Sequence, residues 1–93
     1  MHADDRIGAA RLTKAAEKQL EELDQDERRR VVELLEYIDD QDDVYQLGFY
    51  VSESPAGSVW RLRSGRVGVF MAVDDDELLV VGLSVRRGGM EWF

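Results

Sequence analysis

The sequence predicts an α+β protein in which an N-terminal helical hairpin packs on a C-terminal antiparallel sheet of three to four strands. Apolar residues recur at helical spacing in the first half of the chain, whereas in the second half they form short runs of strand length that partly alternate with polar residues. Residues typical of turns separate these later runs. Because the helices and the strands are grouped, we expect helices on one face of the sheet and a free opposite face.

Two consecutive amphipathic helices are expected in the first half. Thr13 is a candidate N-cap of the first helix, whose apolar face is formed by Ala16, Leu20 and Leu23. Asp24 and Glu27 have the spacing of a capping box at the start of the second helix. Its apolar stripe consists of Val31, Leu34, Leu35 and Ile38. The acidic run at residues 39–43 is expected to end this helix, since carboxylates are unfavourable near a helix C-terminus.

The remaining segments are less regular in pattern. Residues 6–12 fit either an edge strand or a lead-in to the first helix, and residues 44–58 are expected to be irregular, with room for a short strand at residues 48–51. Three strands are predicted at residues 59–63, 67–73 and 78–85. Turns are expected at Ser64-Gly65 and at Asp74-Asp75-Asp76, so that the three strands form a meander.

Length and composition limit the class of protein. A chain of 93 residues suits one domain, residues 1–93. No run approaches the roughly 20 apolar residues of a membrane span, and the absence of cysteine excludes disulfides and zinc–thiolate sites. The one histidine, His2, makes a histidine-based triad or metal site improbable. We therefore expect a cytoplasmic protein without metal, cofactor or membrane partner.

Charge is unevenly distributed along the chain. The formal net charge of −8 is carried by residues 1–56, whereas residues 57–93 are balanced, with bases beside the strands and acids grouped in one turn. The ten arginines greatly outnumber the two lysines. Two explanations fit this imbalance. One is a cytoplasm of very high salt, in which repulsion between surface charges is screened. The other is the codon bias of a GC-rich genome, and the sequence does not choose between them.

Five arginines lie around the predicted meander. Arg61 and Arg63 project from one face of a strand, Arg66 follows in a turn, and Arg86 and Arg87 end the last strand. Guanidinium groups are permanently charged and bind phosphate in a bidentate manner. Trp92 and Phe93 could stack a nucleobase. The alternative is that these arginines pair with local carboxylates and that the two aromatic residues cap the core.

The segments at residues 60–65 and 67–81, together with the helix pair containing Lys14-Ala15-Ala16 and residues 20–23, resemble the RelE/ParE toxin superfamily. The resemblance covers residues 6–93 and implies a toxin that inhibits growth and is neutralised in a hetero-oligomeric complex by a cognate antitoxin. RelE-like members cleave mRNA on the ribosome without metal. ParE-like members inhibit DNA gyrase.

The resemblance also assigns site residues. Arg61, Arg66, Arg87 and Phe93 fall at or near catalytic positions, and Arg63, Arg86 and Trp92 are candidates for RNA binding. However, Val67-Gly68 stands where the family usually has a Tyr-Arg pair, and Phe93 lacks the hydroxyl of the usual tyrosine. The expected function is that of a ribosome-dependent mRNA endoribonuclease with weakened catalysis. A gyrase inhibitor and a catalytically inactive binding protein remain as alternatives.

Overall fold

The structure is a computed structural model that describes residues 6–38, 41–54 and 57–86. Its elements in chain order are β1 (Arg6–Ile7), β2 (Ala10–Leu12), α1 (Lys14–Glu22), α2 (Gln25–Tyr37), α3 (Gln41–Leu47), β3 (Phe49–Ser54), β4 (Gly57–Ser64), β5 (Val67–Asp74) and β6 (Glu77–Val85). The six strands form one sheet in the order β1-β2-β6-β5-β4-β3. The meander of β4, β5 and β6 is antiparallel throughout.

The predicted fold class was wrong in three respects. The described part of the chain opens with strands and not with a helical hairpin, the sheet has six strands, and it is mixed because β2 runs parallel to β6. Only five residues form β1 and β2, too few for a clear alternating pattern. Their place in the sheet depends on pairing between Ala10 and Leu78, a contact between distant parts of the chain that local periodicity does not reveal.

The helix starts agree with the prediction. The Thr13 hydroxyl accepts a hydrogen bond from the Ala16 amide at 3.1 Å. At the second helix both capping-box bonds are present: the Asp24 carboxylate accepts from the Glu27 amide at 2.7 Å, and the Glu27 carboxylate accepts from the Asp24 amide at 3.1 Å. These bonds satisfy amides that would otherwise lack partners at the start of each helix.

A third helix, α3, occupies part of a segment that was expected to be irregular. Part of the acidic run after α2 begins this helix: Asp42 and Asp43 lie in the first turn of α3, where carboxylates are favourable. Val44 is fully buried and joins the core. With only seven residues, α3 is too short to show helical periodicity clearly, which explains why the pattern did not predict it.

One apolar core lies between the helices and one face of the sheet. The helices contribute Ala16, Val31, Leu35 and Val44, and β4 to β6 contribute Leu62, Val67, Val69, Met71, Leu78, Val80 and Leu83. On β5 the core residues Val67, Val69 and Met71 are spaced two apart, so they share one face of the sheet. The side chains between them consequently point to the opposite face.

Candidate nucleic-acid interface

The alternation along β4 places two arginines on the face opposite the helices. Leu62 is 2% exposed and belongs to the core. Trp60 packs edge-on against Tyr45 of α3, with ring centroids 5.0 Å apart, and against Tyr50 of β3 at 5.3 Å. Since successive side chains of a strand alternate between faces, Arg61 and Arg63 lie on the other side, as the sequence predicted.

We call this side of β3 to β6 the arginine face, and it carries Phe49, Arg61, Arg63, Phe70 and Ser84. Strand pairing orders it into two rows. In the first row Phe49 is paired with Arg61, Arg61 with Phe70, and Phe70 with Gly82. In the second row Arg63 is paired with Gly68, and Gly68 with Ser84. Directly paired side chains have Cβ atoms about 4.5–5.5 Å apart, so each row is a set of neighbours.

Arg61 has unused hydrogen-bonding capacity. Its Nε is buried and has no hydrogen-bond partner, and among residues 6–38, 41–54 and 57–86 no carboxylate forms an ion pair with it. The Ser84 hydroxyl oxygen, in the adjacent row, is also buried without a partner. A buried donor left unsatisfied costs about 1–3 kcal/mol. Arg61 as a whole is half-buried, and guanidinium–phosphate bonds are charge-assisted, so the accessible part of its guanidinium suits an anionic ligand.

Arg63 and Arg86 lie at the same end of the sheet. Arg63 is exposed and is separated from Arg61 by one residue, which places their Cα atoms roughly 6.6–7 Å apart. Arg86 is exposed and directly follows β6, and its amide donates to the Arg66 carbonyl at 2.7 Å. Arg63 and Arg86 are therefore near the two ends of the second row, on either side of β5.

Arg66 takes a different direction. It lies in the turn between β4 and β5, and its guanidinium reaches α2, where Nε donates to Glu27 at 3.2 Å and an Nη lies 3.5 Å from Asp24. This arrangement matches the alternative in which an arginine pairs with an internal carboxylate. Arg66 and Arg61 thus point to opposite sides of the sheet, and a catalytic role for Arg66 stays a prediction.

Several positions to which the resemblance assigns a role add no basic side chain to the described part of this face. Arg87, Trp92 and Phe93 lie outside the described residues. Val67 is fully buried in the core. Gly68, which lies on the arginine face between Arg63 and Ser84, has no side chain to bind phosphate. The positive charge that the described residues bring to this face is therefore concentrated on β4.

Charge on the helical side is organised differently. Asp26 of α2 binds Arg29 at 2.8 Å and Arg30 at 3.3 Å, and the hydrogen bond from Arg30 is the main cause that lowers the pKa of the Asp26 carboxyl. A shallow depression at the start of α2 is lined by Asp24, Gln25, Asp26, Arg28, Arg29 and Val32. Its carboxylates are occupied by the capping box and by these ion pairs, so we assign it no ligand.

The described residues contain neither a candidate metal site nor a membrane-spanning helix. The described ranges contain no group of three or more histidine, aspartate or glutamate side chains that could hold a metal ion. None of their helices combines the length and the apolar character needed to cross a bilayer.

Phe49 is an exposed residue of this face that the sequence did not predict as part of the site. It lies in the segment of residues 44–58, which was expected to be irregular. Its position beside Arg61 depends on the register between β3 and β4. The alternation of that pair is interrupted at Val51, where the register shifts between Tyr50 and Ser52, so no simple periodic signal marks Phe49 as a neighbour of Arg61.

The fold is similar to that of a solved structure. A chain in the crystal structure of the toxin–antitoxin complex RelBE2 from Mycobacterium tuberculosis superposes on this protein with a TM-score of 0.67, over 87% of this chain and 100% of that chain. The chain has a RelE-like fold. At 18% sequence identity the similarity concerns the fold, and it agrees with the resemblance to RelE-like proteins seen in the sequence. No model of a protein family matches the sequence, and no curated protein matches it.

Proposed function

We propose that this chain is the toxin of a type II toxin–antitoxin pair and that it binds mRNA phosphates on the arginine face. In this proposal it is a ribosome-dependent endoribonuclease with weakened catalysis. The observation that carries the proposal is the position of Arg61: it lies on the face opposite the helices of a RelE-like sheet, beside Arg63, and its Nε has no hydrogen-bond partner among the described residues.

The proposed reaction needs no metal. The 2′-hydroxyl of one nucleotide attacks the adjacent phosphate, the 5′-oxygen of the next nucleotide leaves, and a 2′,3′-cyclic phosphate and a 5′-hydroxyl are formed. Negative charge accumulates on the phosphate in the transition state, where preorganised positive groups contribute most. Arg61 is the described residue best placed to supply this charge. Arg63 and Arg86 would bind neighbouring phosphates, and Arg87 would act beside them.

Weak catalysis follows from what the described residues lack. No arginine is present at Gly68, and Arg66 is paired with Glu27. Loss of one charge that stabilises the transition state costs about 2–4 kcal/mol by analogy with oxyanion-hole donors. If Phe93 occupies the position of the usual tyrosine, a proton-transfer group is also missing, which reduces the rate by about 10²- to 10⁴-fold.

The proposal includes the partners and the setting of the protein. The partner is a cognate antitoxin in a hetero-oligomeric complex, and the target is mRNA on the ribosome in the cytoplasm. Residues 1–93 act as one domain without a cofactor. The structural similarity to a chain of a toxin–antitoxin complex supports the toxin role and the antitoxin partner.

The test is mRNA cleavage during translation. A translation extract is adjusted to a series of salt concentrations and supplied with the purified protein, and cleavage is mapped by primer extension. We expect cleavage that requires translation and is lost in an Arg61→Ala/Arg63→Ala variant. Intact message with the wild-type protein at every salt concentration would sink the endoribonuclease proposal.

A gyrase inhibitor of the ParE type is the second candidate. It is favoured by one observation: the Val67-Gly68 pair is buried and carries no basic group, so the site has lost a charge that RNA cleavage would use but that simple binding would not. A supercoiling assay with purified DNA gyrase distinguishes the two. Inhibition of supercoiling, together with intact mRNA, would replace the first proposal by this one.

An inactive binding protein is the third possibility. Expression of the gene alone in its own host tests it, because a toxin without its antitoxin should arrest growth. Normal growth with soluble, folded protein would favour this possibility over both toxins.

A further inference from the structure

Phe49 exposes an aromatic ring beside Arg61, whose Nε has no hydrogen-bond partner among the described residues. It is the first residue of β3 and is paired directly with Arg61 of β4. Paired residues on neighbouring strands project to the same face, so the Phe49 side chain lies on the arginine face. Phe49 is 60% exposed to solvent, and β3 is an edge strand of the sheet.

The other side of Arg61 is also aromatic. Arg61 is paired with Phe70 of β5, and Phe70 is paired with Gly82 of β6. Gly82 has no side chain, and the nearest atom of Phe70 is 4.0 Å from the position that a Cβ there would occupy. The row therefore places Arg61 between two phenylalanines on neighbouring strands, with Phe49 on the edge strand.

Phe49 has no packing role in the apolar core that would explain an aromatic residue at this position. Tyr50, the next residue, lies on the helical side and packs against Trp60, which gives it a structural role. Phe49 does not belong to the apolar core or to the partly buried residues packed against it. An exposed aromatic ring beside a cation is the arrangement that single-stranded nucleic-acid sites use, in which bases stack on rings and charges hold the backbone.

We propose that Phe49 and Arg61 form a subsite for one nucleotide of single-stranded RNA, in which the Phe49 ring stacks on the base and Arg61 binds the adjoining phosphate. This inference rests on the proposed function and specifies its ligand. The subsite requires an unpaired base, since a duplex keeps its bases stacked on each other and unavailable to a side chain. Phe49 is a binding residue here, and Arg61 supplies the charge.

The experiment compares two probes with equal phosphate charge. One is a short, fluorescently labelled oligoribonucleotide, and the other is an abasic oligomer with the same number of phosphates. Binding to the full chain is measured by anisotropy at a fixed salt concentration. We expect the wild type to prefer the oligoribonucleotide by roughly 5- to 150-fold, the range of one stacked base. Phe49→Ala and Phe49→Leu should reduce this preference to near unity, and Phe49→Trp should retain it.

A matched control uses a second exposed aromatic residue away from the arginine face. Tyr37 at the end of α2 is 68% exposed, and Tyr37→Ala should keep the preference. Phe49→Leu retains apolar volume without a ring face, and thermal unfolding of each variant shows that it is folded.

The outcomes separate this inference from the function on which it depends. A wild type that binds both probes equally, or a Phe49→Ala variant that keeps the preference, overturns the stacking subsite while phosphate binding stands. A wild type that binds neither probe overturns the RNA-binding function and this subsite with it. Loss of the preference in the Phe49 variants, with abasic binding unchanged, supports the subsite.

Discussion

Arg66 and Glu27 form an ion pair that joins the β4–β5 turn to the first turn of α2. Arg66 Nε donates to Glu27 Oε2 at 3.2 Å, and Glu27 is only 2% exposed. The other carboxylate oxygen of Glu27 accepts from the Asp24 amide. One buried carboxylate thus fixes both the start of α2 and the turn of the meander, and Arg66 offsets part of the cost of burying its charge.

Arg66→Ala should destabilise the protein by about 1–3 kcal/mol, because the buried Glu27 carboxylate loses one charged hydrogen-bond donor. The half-exposed position of Arg66 keeps the effect below that of a fully buried pair. Chemical denaturation monitored by circular dichroism measures it. Arg86→Ala, which removes an exposed arginine at the end of β6, should change the free energy of unfolding by less than about 0.5 kcal/mol. Equal effects of the two variants would contradict the structural role of Arg66.

Arg61→Ala and Arg63→Ala should weaken binding of single-stranded RNA and reduce its salt dependence. Each removed phosphate contact should lower the slope of log K against log salt by about 0.7. Arg29→Ala is the charge-matched control, since Arg29 lies on α2 and pairs with Asp26. A salt series of anisotropy titrations gives the slopes. If Arg29→Ala lowers the slope as much as the two β4 variants do, the arginine face has no special part in binding.

Gly8→Ala should destabilise the protein by about 1–3 kcal/mol. Gly8 has a φ of +61°, and an added Cβ would lie 2.7 Å from the Leu35 carbonyl oxygen of α2, so the change is strained in both backbone and packing. Gly82→Ala is the control, because the nearest atom to its added Cβ is 3.7 Å away. Thermal melts of both variants test whether the β1–β2 segment is packed on α2. A Gly8→Ala variant as stable as Gly82→Ala would show that it is not.

The turn between β5 and β6 should accept a stabilising substitution. Asp75 and Asp76 have φ values of 53° and 63°, the left-handed region of a type I′ turn, for which Asn-Gly is preferred. Asp75→Asn/Asp76→Gly should raise the free energy of unfolding by about 0.5–1 kcal/mol relative to Asp75→Asn/Asp76→Asn. The two double variants carry the same charge, so their difference in urea denaturation isolates the backbone effect. No difference, or greater stability of the Asn-Asn form, would count against this turn geometry.

Acidification should affect the Asp26 cluster in a defined direction. The hydrogen bond from Arg30 lowers the pKa of the Asp26 carboxyl below its ordinary value of 3.8. A lowered folded-state pKa means that the stabilisation is present above the unfolded pKa and is lost as the pH falls through the folded pKa. Carboxyl NMR titration of wild type and Arg30→Ala should show a lower pKa of Asp26 in the wild type. An unchanged pKa in Arg30→Ala would remove Arg30 as its cause.

The parts of the fold that the sequence predicted correctly depend on neighbouring residues. Thr13 and the Asp24–Glu27 pair mark the helix starts because a cap bonds to an amide within three residues of itself. The opposite directions of Leu62 and Arg61 follow from strand alternation alone. The chain's resemblance to RelE-like proteins rested on such segments, and the structural similarity to a chain of the RelBE2 complex supports it.

The features that could be predicted from the sequence were therefore local: the capped helices, the alternation along β4 and the turns of the meander. The tertiary structure decided the parallel pairing of β2 with β6, the partner of Arg66 and the place of Phe49 beside Arg61. These features depend on backbone register and packing between segments that are far apart in the chain or interrupted by a bulge. The energies that select them are summed over many contacts, so no short pattern in the sequence records them.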